Sequence, residues 1–347
     1  MKQRPTMSKH EQGLTLVELL VALSISLILL GGVYQVFVSS TTVYRKNEQF
    51  ARMQENARFA MEILGRELRT AGYTGCSGAT PTNNLNPLGT GYISEFHDFT
   101  DSIRGFDWVG PAWSPALNTT EIQNAVDGSD VIIVRGFDID DRIEITGNNT
   151  NAANLAVVSR ASIAQGEIVI VSDCVASDIF QVTNNNAATT LAHGTSTNPG
   201  NTGPNLSRGY NSGAEVYKFQ SQVFYVRNNA ASVPSLYRIR WTEASGGVAE
   251  ELVEGIENMQ IRYGVDTSTP PDRQVDSYVS AAGVADWAEV MAVRVGLLVQ
   301  GPIDGKAAVD TNTYDLDADG VAEYDPPDER RMRRVFKSTF VLRNRAN

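Results

Sequence analysis

The residue with the most informative chemistry is Glu18, a carboxylate placed near the start of an apolar run. The run extends from Leu14 to Val38, and Glu18 is its only charged residue. A carboxylate in hydrocarbon is costly, so one at this position is expected to have a function and a partner of opposite charge. We expect that partner to be a positive group from another subunit.

A second set of carboxylates, near the end of the chain, has the spacing of a calcium loop. Asp315, Asp317 and Asp319 alternate before a glycine, and Glu323 follows as a further oxygen donor. Calcium prefers such hard oxygen ligands. The position at which an EF-hand supplies its bidentate glutamate is Pro326, so the motif is incomplete. The sequence therefore leaves two alternatives, a calcium site and a solvated acidic turn.

The residues needed for catalysis are sparse. The chain has three histidines, His10, His97 and His193, and they are far apart in the sequence. It contains neither a GxxxxGK[ST] element nor a GxGxxG after a strand, so no nucleotide-binding motif is evident. No histidine-based triad or zinc site can be assembled from neighbouring ligands. We expect a protein that is not an enzyme and that carries no cofactor apart from the candidate calcium ion.

The two cysteines, Cys76 and Cys174, have no CxxC neighbour and no histidine nearby. If the domain that holds them is translocated, it enters an oxidising space in which the two are expected to pair. The bridge would close a loop of almost a hundred residues, and its chain-entropy contribution would be about 4–5 kcal/mol. A structural disulfide is therefore favoured over a metal or redox role.

The charge of the chain argues against nucleic acid as a partner. The 347 residues are 42% hydrophobic and 20% charged, with a net charge of −11. An acidic protein is a poor general binder of nucleic acid. One basic cluster interrupts this acidic pattern and consists of Arg330, Arg331, Arg333 and Arg334. It could contact an acidic neighbouring protein or DNA, although a solvated entry into the last strand is the simpler interpretation.

The first thirteen residues form a short basic leader. Lys2, Arg4 and Lys9 outnumber Glu11, and positive charge near an apolar segment is expected to stay cytoplasmic. No small-residue cleavage site follows the apolar segment, as a secretory signal would require. The candidate cut therefore lies before the segment, at Gly13. Residues 14–38 are long enough to span a membrane, so a plain single-pass anchor is the alternative.

The rest of the chain predicts an α+β protein, with a long N-terminal helix packed on a β-rich, mainly antiparallel domain. No proline interrupts residues 14–71, and apolar residues recur at helical spacing in the second half of that range. Residues 72–347 then form short β-rich runs separated by turns. Residues 183–213 are rich in Asn, Thr and Gly and predict either a long polar, exposed loop or a disordered segment. The predicted strands are 130–135, 142–146, 167–171, 179–182, 215–219, 223–227, 236–241, 259–263, 290–299 and 334–342.

The hexapeptide at 13–18 (GLTLVE) resembles the cleavage and N-methylation site of type IV prepilins. The resemblance implies that Gly13 ends the leader and that Leu14, where the family more often has Phe, becomes the methylated N-terminus. It also implies that Glu18 is the glutamate used in assembly. Loss of the leader would change the net charge from −11 to −13, because three basic residues and one acidic residue leave with it.

Further stretches resemble one subgroup of prepilin-like proteins, the PilW family of minor pilins. This resemblance implies a low-abundance subunit that joins other minor pilins, primes filament growth and lies at or near the pilus tip. The matching stretches extend through most of the chain: 55–60 (ENARFA), 68–69 (LR), 71–76 (AGYTGC), 171–174 (VSDC), 178–182 (DIFQV), 255–260 (GIENMQ), 263–266 (YGVD), 286–287 (DW) and 292–295 (AVRV).

The resemblance also implies partners and a location. The partners are other minor pilins, the major pilin, the prepilin peptidase and N-methyltransferase, and the assembly platform of the inner membrane. The protein would cross the inner membrane of a Gram-negative bacterium once, with its C-terminal domain in the periplasm, before it enters the pilus. Two alternatives remain open, a minor pseudopilin of type II secretion and an anchored adhesin or hydrolase whose helix is only a tether.

Overall fold

The structure is a computed structural model, which describes residues 15–73, 75, 80–138, 141–152, 154–160, 163–186, 189–242, 246–305, 307–322 and 324–344. The chain divides into two compact units, Met1–Arg52 and Met53–Asn347. Helix α1 (Leu16–Thr70) begins in the first unit and ends in the second. It contains an 18-residue window that is long and apolar enough to cross a membrane, and none of that window is buried in the protein.

Within the second unit, the end of α1 carries a narrow buried stripe. Residues at helical spacing, from Met53 through Leu64 to Leu68, are at most 2% exposed and face the core of the domain. At Gly65 a Cβ atom would lie 2.5 Å from the ring of Phe340, so this glycine allows close packing of the helix. The helix ends at Thr70, and Gly72 takes the left-handed conformation that is common after a helix.

Most strands belong to one large, mainly antiparallel sheet. Its central path has the order β1-β8-β7-β10-β4-β2-β3, and β11, β12 and β5 are added to it through β10 and β11. The β1–β8 pair is parallel. Its strands are β1 (Thr82–Asn83), β2 (Ile103–Val109), β3 (Ala112–Ser114), β4 (Val131–Phe137), β5 (Ile143–Glu144), β7 (Ile168–Ser172), β8 (Ser177–Gln181), β10 (Glu215–Asn228), β11 (Pro234–Thr242) and β12 (Gly246–Glu254).

A second sheet has four antiparallel strands in the order β14-β13-β15-β16, and β6 pairs with β9 elsewhere. The main core lies where α1 and the two sheets meet, because it combines residues of the helix, of β4 and β10, and of β13 and β15. The remaining elements are helix α2 (Ser94–His97), β6 (Leu155–Ala156), β9 (Thr190–Leu191), β13 (Ile256–Val265), β14 (Ser277–Val279), 3-10 helices at Ala281–Gly283 and Trp287–Glu289, β15 (Val290–Gln300) and β16 (Arg333–Val341).

The α+β fold class predicted from the sequence is confirmed. The segment 183–213, predicted as a long exposed loop or a disordered segment, is irregular apart from β9 and isolated bridges, and it has both exposed and buried residues. Leu191, Leu206 and Tyr210 in this segment are at most 3% exposed. The side chain of Asn201 accepts a hydrogen bond from the backbone N–H of Gln181 and donates one to the carbonyl of Gly194. Polar side chains here bond to the backbone of an irregular but packed segment, so polarity does not imply exposure.

Candidate functional site

Glu18 lies in the first turn of α1, where it forms a reciprocal cap with Thr15. The backbone N–H and the hydroxyl of Thr15 donate to Oε2 of Glu18, at 2.9 and 3.0 Å. In return, the backbone N–H of Glu18 donates to the hydroxyl oxygen of Thr15 at 3.3 Å. This is a capping box, in which two residues satisfy N–H groups that a helix start leaves without partners. A threonine three residues before a glutamate is the sequence signature of this motif, and it identifies the helix start.

The cap fixes where the carboxylate sits. Both contacts from Thr15 reach Oε2, so Oε1 can accept a hydrogen bond from another group. The neighbouring side chains, such as Leu16, Val17 and Leu20, are more than half exposed and offer a continuous apolar surface. Negative charge is also favourable at a helix N-terminus. The site can therefore present one ordered anionic group within an apolar surface, while Gly13 and Leu14 lie outside the described residues.

The two cysteines were predicted to pair, and part of that site is described. Cys174 lies in the turn between β7 and β8, with a positive φ of 66°. Cys76 is outside the described residues. Gly75, which precedes it, lies against Ser172, two residues before Cys174, because a Cβ at Gly75 would be 2.8 Å from the Ser172 Oγ. The chain segments that carry the two cysteines therefore meet, and the bridge between them stays a prediction.

We expect peptide mapping of the unreduced protein to recover a peptide pair joined through Cys76 and Cys174. Reduction should separate the pair, and a Cys174→Ser variant should yield no such pair. As a matched control, Ser172→Ala changes a neighbouring residue and should leave the joined peptides unchanged. Two free thiols in protein extracted with rapid thiol blocking would contradict the predicted bridge.

The predicted calcium ligands lie together, but they already have protein cations as partners. Carboxylate oxygens of Asp315, Asp317 and Asp319 are within 4.8 Å of one another. Arg262 donates to Asp317 and, at 3.3 Å, to Asp319. Lys337 donates to Asp315 at 2.8 Å, and this hydrogen bond lowers the pKa of that carboxyl group.

This arrangement does not fit a calcium ion, because Arg262 and Lys337 would first have to leave the carboxylates. The loop is also fixed by the fold, since its Leu316 carbonyl lies directly over Gly296 of β15, where a Cβ would be 1.7 Å away. The fourth predicted ligand, Glu323, is outside the described residues. Calcium binding at Asp315, Asp317, Asp319 and Glu323 thus stays a prediction, without support from the geometry of the three described carboxylates.

The arginine cluster is a solvated strand entry only in part, because Arg330 and Arg334 are exposed whereas Arg333 is buried. The Arg333 side chain is 0% exposed and bonds to Glu257, Asp310 and Glu329. Arg331 bonds to Gln300 and Glu329. Arg333 thus connects β16 to β13 and to the loop between β15 and β16, and Arg331 connects that loop to the end of β15. A run of basic residues in a sequence does not show which of them is buried.

A buried acidic pair connects the two sheets. Asp130 accepts backbone hydrogen bonds from Trp108 of β2, at 3.0 Å, and from Ile261 of β13, at 2.8 Å. Asp107 accepts one from Ala282 at 3.2 Å. Burial raises the pKa of both carboxyl groups, and for Asp130 the charge of Asp107 adds to the effect. The second oxygen of Asp107 and the hydroxyl of Tyr263 are buried and have no hydrogen-bond partner among the described residues.

These shifts predict that the contribution of Asp107 and Asp130 to the stability of the domain decreases as the pH rises from acidic to neutral values. The folded pair keeps a proton that the unfolded chain releases at about pH 4. The folded state therefore binds more protons than the unfolded state. For each retained proton, the unfolding free energy falls by up to about 1.4 kcal/mol for every unit that the pH rises, until the pH passes the raised pKa of the folded state. Asp107→Asn, which removes one charge of the pair, should flatten this pH dependence in thermal unfolding.

Asp127→Asn provides the control, because Asp127 is exposed in the same segment that leads into β4. Its unfolding profile should follow that of the wild type. An Asp107→Asn profile parallel to the wild type between pH 4 and pH 7 would show that Asp107 does not contribute to this pH dependence.

The two histidines of the domain do not form a common site. His97 accepts a hydrogen bond at Nδ1 from the backbone N–H of Ile93, at 2.7 Å, and its ring lies edge-on to Trp241. His193 packs against Phe180. Both are buried, at 0% and 3% exposure. Among the described residues, one group of at least three acidic, histidine or cysteine side chains lies close enough together to hold a metal ion, and it consists of Asp315, Asp317 and Asp319.

Comparison with known protein families identifies two segments of the chain. Residues 223–344 match the family described as type IV pilus-assembly protein W, PilW. Residues 8–34, which include Glu18, match the prokaryotic N-terminal methylation motif. Both matches bear out the predicted resemblance of the chain to PilW-like type IV minor pilins.

No curated protein matches the chain significantly. Among solved structures, a type IV-like pilin from Thermus thermophilus is similar at a TM-score of 0.37 and 11% sequence identity. The match covers 85% of this chain and 98% of that one.

Proposed function

We propose that the chain, whose residues 223–344 match PilW and whose residues 8–34 match the N-terminal methylation motif, is a minor pilin that is cleaved after Gly13, N-methylated at Leu14 and used to prime pilus assembly at or near the tip. A type IV pilin is a structural protein, and its family implies contact with other pilins and with the prepilin peptidase. The proposal rests on one observation above all. An ordered carboxylate, Glu18, stands in an unburied apolar helix start within a matched methylation motif.

The proposed mechanism follows from the electrostatics of that carboxylate. In the inner membrane, an ionised Glu18 lies near hydrocarbon at a cost of a few kcal/mol. In the filament, the N-terminal ammonium group of an adjacent subunit would meet Glu18 and offset that cost. Because Thr15 holds the carboxylate on the first helical turn, pairing would set the axial position of one subunit against the next.

The location follows from the same features. An apolar N-terminal helix and a pilin motif fit an inner-membrane anchor. The C-terminal domain would then face the periplasm and later the outside of the pilus. In these positions the protein could contact other minor pilins, the major pilin and the assembly platform of the inner membrane. A pseudopilin of type II secretion would have the same processing and the same helix. The location of the mature protein therefore distinguishes a pseudopilin from the proposed minor pilin.

The first experiment is the determination of the mature N-terminus by mass spectrometry. Membrane and sheared-pilus fractions would be compared in cells with and without the prepilin peptidase. We expect N-methylated Leu14 in the presence of the peptidase, its loss without the peptidase, and recovery of the mature chain in sheared pili. An intact Met1 or Met7 terminus in wild-type cells would show that the helix is only an anchor. Mature protein that is absent from pili but required for secretion would favour the pseudopilin.

A further inference from the structure

Strand β16 forms one edge of the four-stranded sheet, where β15 is its neighbour. The two strands pair without a register shift from Arg333, opposite Gln300, to Val341, opposite Ala292. The strand also contains no proline. Edge strands are commonly short, bulged or interrupted by proline, and these features keep other chains from pairing with them. Because β16 is long and regular, its outer edge is suited to accept a further strand.

The hydrogen bonds at the two ends of β16 show which of its backbone groups face outward. The N–H of Leu342 donates to the carbonyl of Met291, and the N–H of Gly301 donates to the carbonyl of Met332. Both bonds continue the β15–β16 register. In an antiparallel pair, every second residue directs its N–H and C=O groups at the partner strand. The even-numbered residues of β16 therefore bond to β15, and the odd-numbered residues direct these groups outward.

The outward groups of β16 form a row of hydrogen-bond donors and acceptors. They belong to Val335, Lys337, Thr339 and Val341, of which the last three are exposed. Among the residues that the structure describes, none donates to or accepts from these backbone groups. An extended chain beside β16 could bond to all of them, as in strand addition at other sheet edges.

A groove of about 400 Å³ lies beside this edge, between β16 and α1. Its apolar residues are Ala57 and Met61 of α1 and Phe336 of β16. Phe336 lies on the same face of the strand as Phe340, which packs against Gly65 of the helix. Successive side chains of a strand point to opposite faces. Every second side chain of an added strand would therefore point toward α1, where an apolar one can pack on Met61 and Phe336.

The lining of the groove carries positive charge at Arg58, and its other polar residues are Gln54, Lys337 and Ser338. Lys337 bonds to Asp315 at 2.8 Å, so its charge is largely balanced. No carboxylate is among the described residues that line the groove. A carboxylate of an added strand can thus approach Arg58 without meeting a like charge in the lining.

The charges around the groove are mixed, with an excess of cations. Arg69 of α1 and Arg334 of β16 lie over aromatic rings of β16, at 5.5 and 5.8 Å from the ring centroids. Glu55 and Glu62 are exposed on α1, next to lining residues. Together with Arg58, three arginines are set against these two glutamates. Charge complementarity therefore favours an acidic segment over a basic one.

We propose that the outer edge of β16 accepts an extended acidic segment of a partner protein as an added strand. An apolar side chain of that segment enters the groove beside α1, and its carboxylates lie near Arg58 and Arg69. The site lies in the domain formed by residues 53–347 and is separate from the assembly carboxylate at Glu18. Strand addition is thus a further property of the domain and does not depend on processing at Gly13.

The test uses the full-length protein in detergent and three capped peptides. The acidic peptide has the order Thr-Glu-Thr-Val-Thr-Glu-Thr, so that its charged and apolar side chains share one face. The basic peptide has Lys in place of both Glu residues. The third peptide is the acidic one with N-methylated Thr residues, which removes the donors that would bond to β16 and keeps the charge.

We expect the acidic peptide to bind with a dissociation constant below about 1 mM, and the other two to bind at least about tenfold more weakly. NMR of isotope-labelled protein would measure binding. The acidic peptide should slow amide exchange at Lys337 and Thr339, whereas Phe336 and Ser338 already bond to β15 and should be unchanged. No binding of the acidic peptide at millimolar concentration would overturn the proposal. Equal binding of the N-methylated peptide would overturn strand addition, and equal binding of the basic peptide would overturn the acidic preference.

Two pairs of variants assign the binding to this edge. Thr339→Pro removes one outward N–H and leaves the bonds to β15 in place, so it should weaken binding of the acidic peptide by about tenfold. Thr339→Ala is its matched control, because it keeps the N–H and should bind like the wild type. Arg58→Gln should also weaken binding. Its control is Arg66→Gln, since Arg66 pairs with Glu67 at 3.0 Å and lies outside the lining.

Equal binding by Thr339→Ala and by a Thr339→Pro variant with wild-type thermal unfolding would overturn the assignment to β16. If Thr339→Pro does not fold, the N-methylated peptide still tests the backbone bonds from the side of the ligand. Self-association of the protein that disappears in Thr339→Pro would make a second copy of this chain the occupant, and it would overturn the assignment to an acidic partner.

Discussion

If the chain is a pilin as proposed, replacement of Glu18 by alanine should strongly reduce its incorporation into filaments while leaving it in the membrane. Removal of the only charge in the apolar run makes insertion of that run more favourable. In the filament, the same change leaves the ammonium group of the neighbouring subunit without its partner in a low-dielectric environment. We expect the amount in sheared pili, relative to the membrane fraction, to fall by about tenfold or more, since about 1.4 kcal/mol is sufficient for that change.

The control for this substitution is Glu48→Ala in the same helix. Glu48 is half exposed and pairs with Arg52 at 2.8 Å. An exposed pair of this kind contributes at most about 1 kcal/mol, so incorporation should be close to normal. Glu18→Gln keeps an oxygen that can cap Thr15 but removes the charge, and it should behave like Glu18→Ala. Wild-type abundance of Glu18→Ala in sheared pili would refute the role of the carboxylate.

A third variant separates the pairing of Glu18 from its capping. Thr15→Ala removes the hydroxyl that donates to Glu18 and accepts from its N–H, but it leaves the negative charge in place. Loss of an N-cap side chain costs about 0.5–2 kcal/mol of helix stability. If charge pairing dominates, Thr15→Ala should reduce incorporation less than Glu18→Gln does. The reverse order would assign the main role to the cap.

The elements that could be predicted from the sequence are those whose pattern is local. The buried stripe of α1 follows from helical spacing, and its predicted residues, such as Met53 and Leu64, are in the core. Most long strands were also found, because they are rich in β-branched residues. Two predicted strands, at 215–219 and 223–227, are one continuous strand, β10. The polar residues between the two predicted strands lie inside β10, at the point where this strand changes its partner from β7 to β11.

Other elements have no local pattern that identifies them. Strand β12 has few β-branched residues and many carboxylates, because it is an edge strand with only β11 beside it. The residues of 183–213 look like an exposed loop, although long-range contacts bury several of them. The same limit applies to the candidate site. Glu18 could be found from a motif, whereas the burial of Arg333 and of the Asp107–Asp130 pair depends on residues far away in the sequence.

Arg333 provides the second large effect, because one buried cation connects four groups of the domain. Its Nε donates to Glu257 of β13 at 2.6 Å, and its Nη1 to Asp310 at 3.2 Å. Its Nη2 donates to Glu329 at 3.3 Å and to the carbonyl of Pro327 at 3.1 Å. Three of these partners belong to the segment between β15 and β16. Burial opposes ionisation of Asp310, but hydrogen bonds from Tyr314, Asn312 and Arg333 lower its pKa overall.

We expect Arg333→Ala to destabilise the domain by about 3–5 kcal/mol, the usual cost of removing one partner from a buried ion pair. Loss of the guanidinium group leaves the carboxylate of Glu257, which is 8% exposed, without its cation. It also releases the segment that contains Asp310. Urea unfolding followed by tryptophan fluorescence would measure the change. Arg333→Lys should recover only part of it, because one ammonium group cannot reproduce the planar fork that reaches several acceptors.

Arg330→Ala is the matched control for Arg333→Ala, three residues earlier in the same cluster. Arg330 is exposed and donates to the carbonyl of Ala307 at 2.7 Å. Its removal should cost no more than about 1.5 kcal/mol, the usual net value of one hydrogen bond. Equal effects of the two substitutions would mean that burial of Arg333 contributes nothing beyond a surface contact. A large difference would show that Arg333 holds the segment between β15 and β16 on the sheet, although the sequence does not distinguish it from the neighbouring arginines.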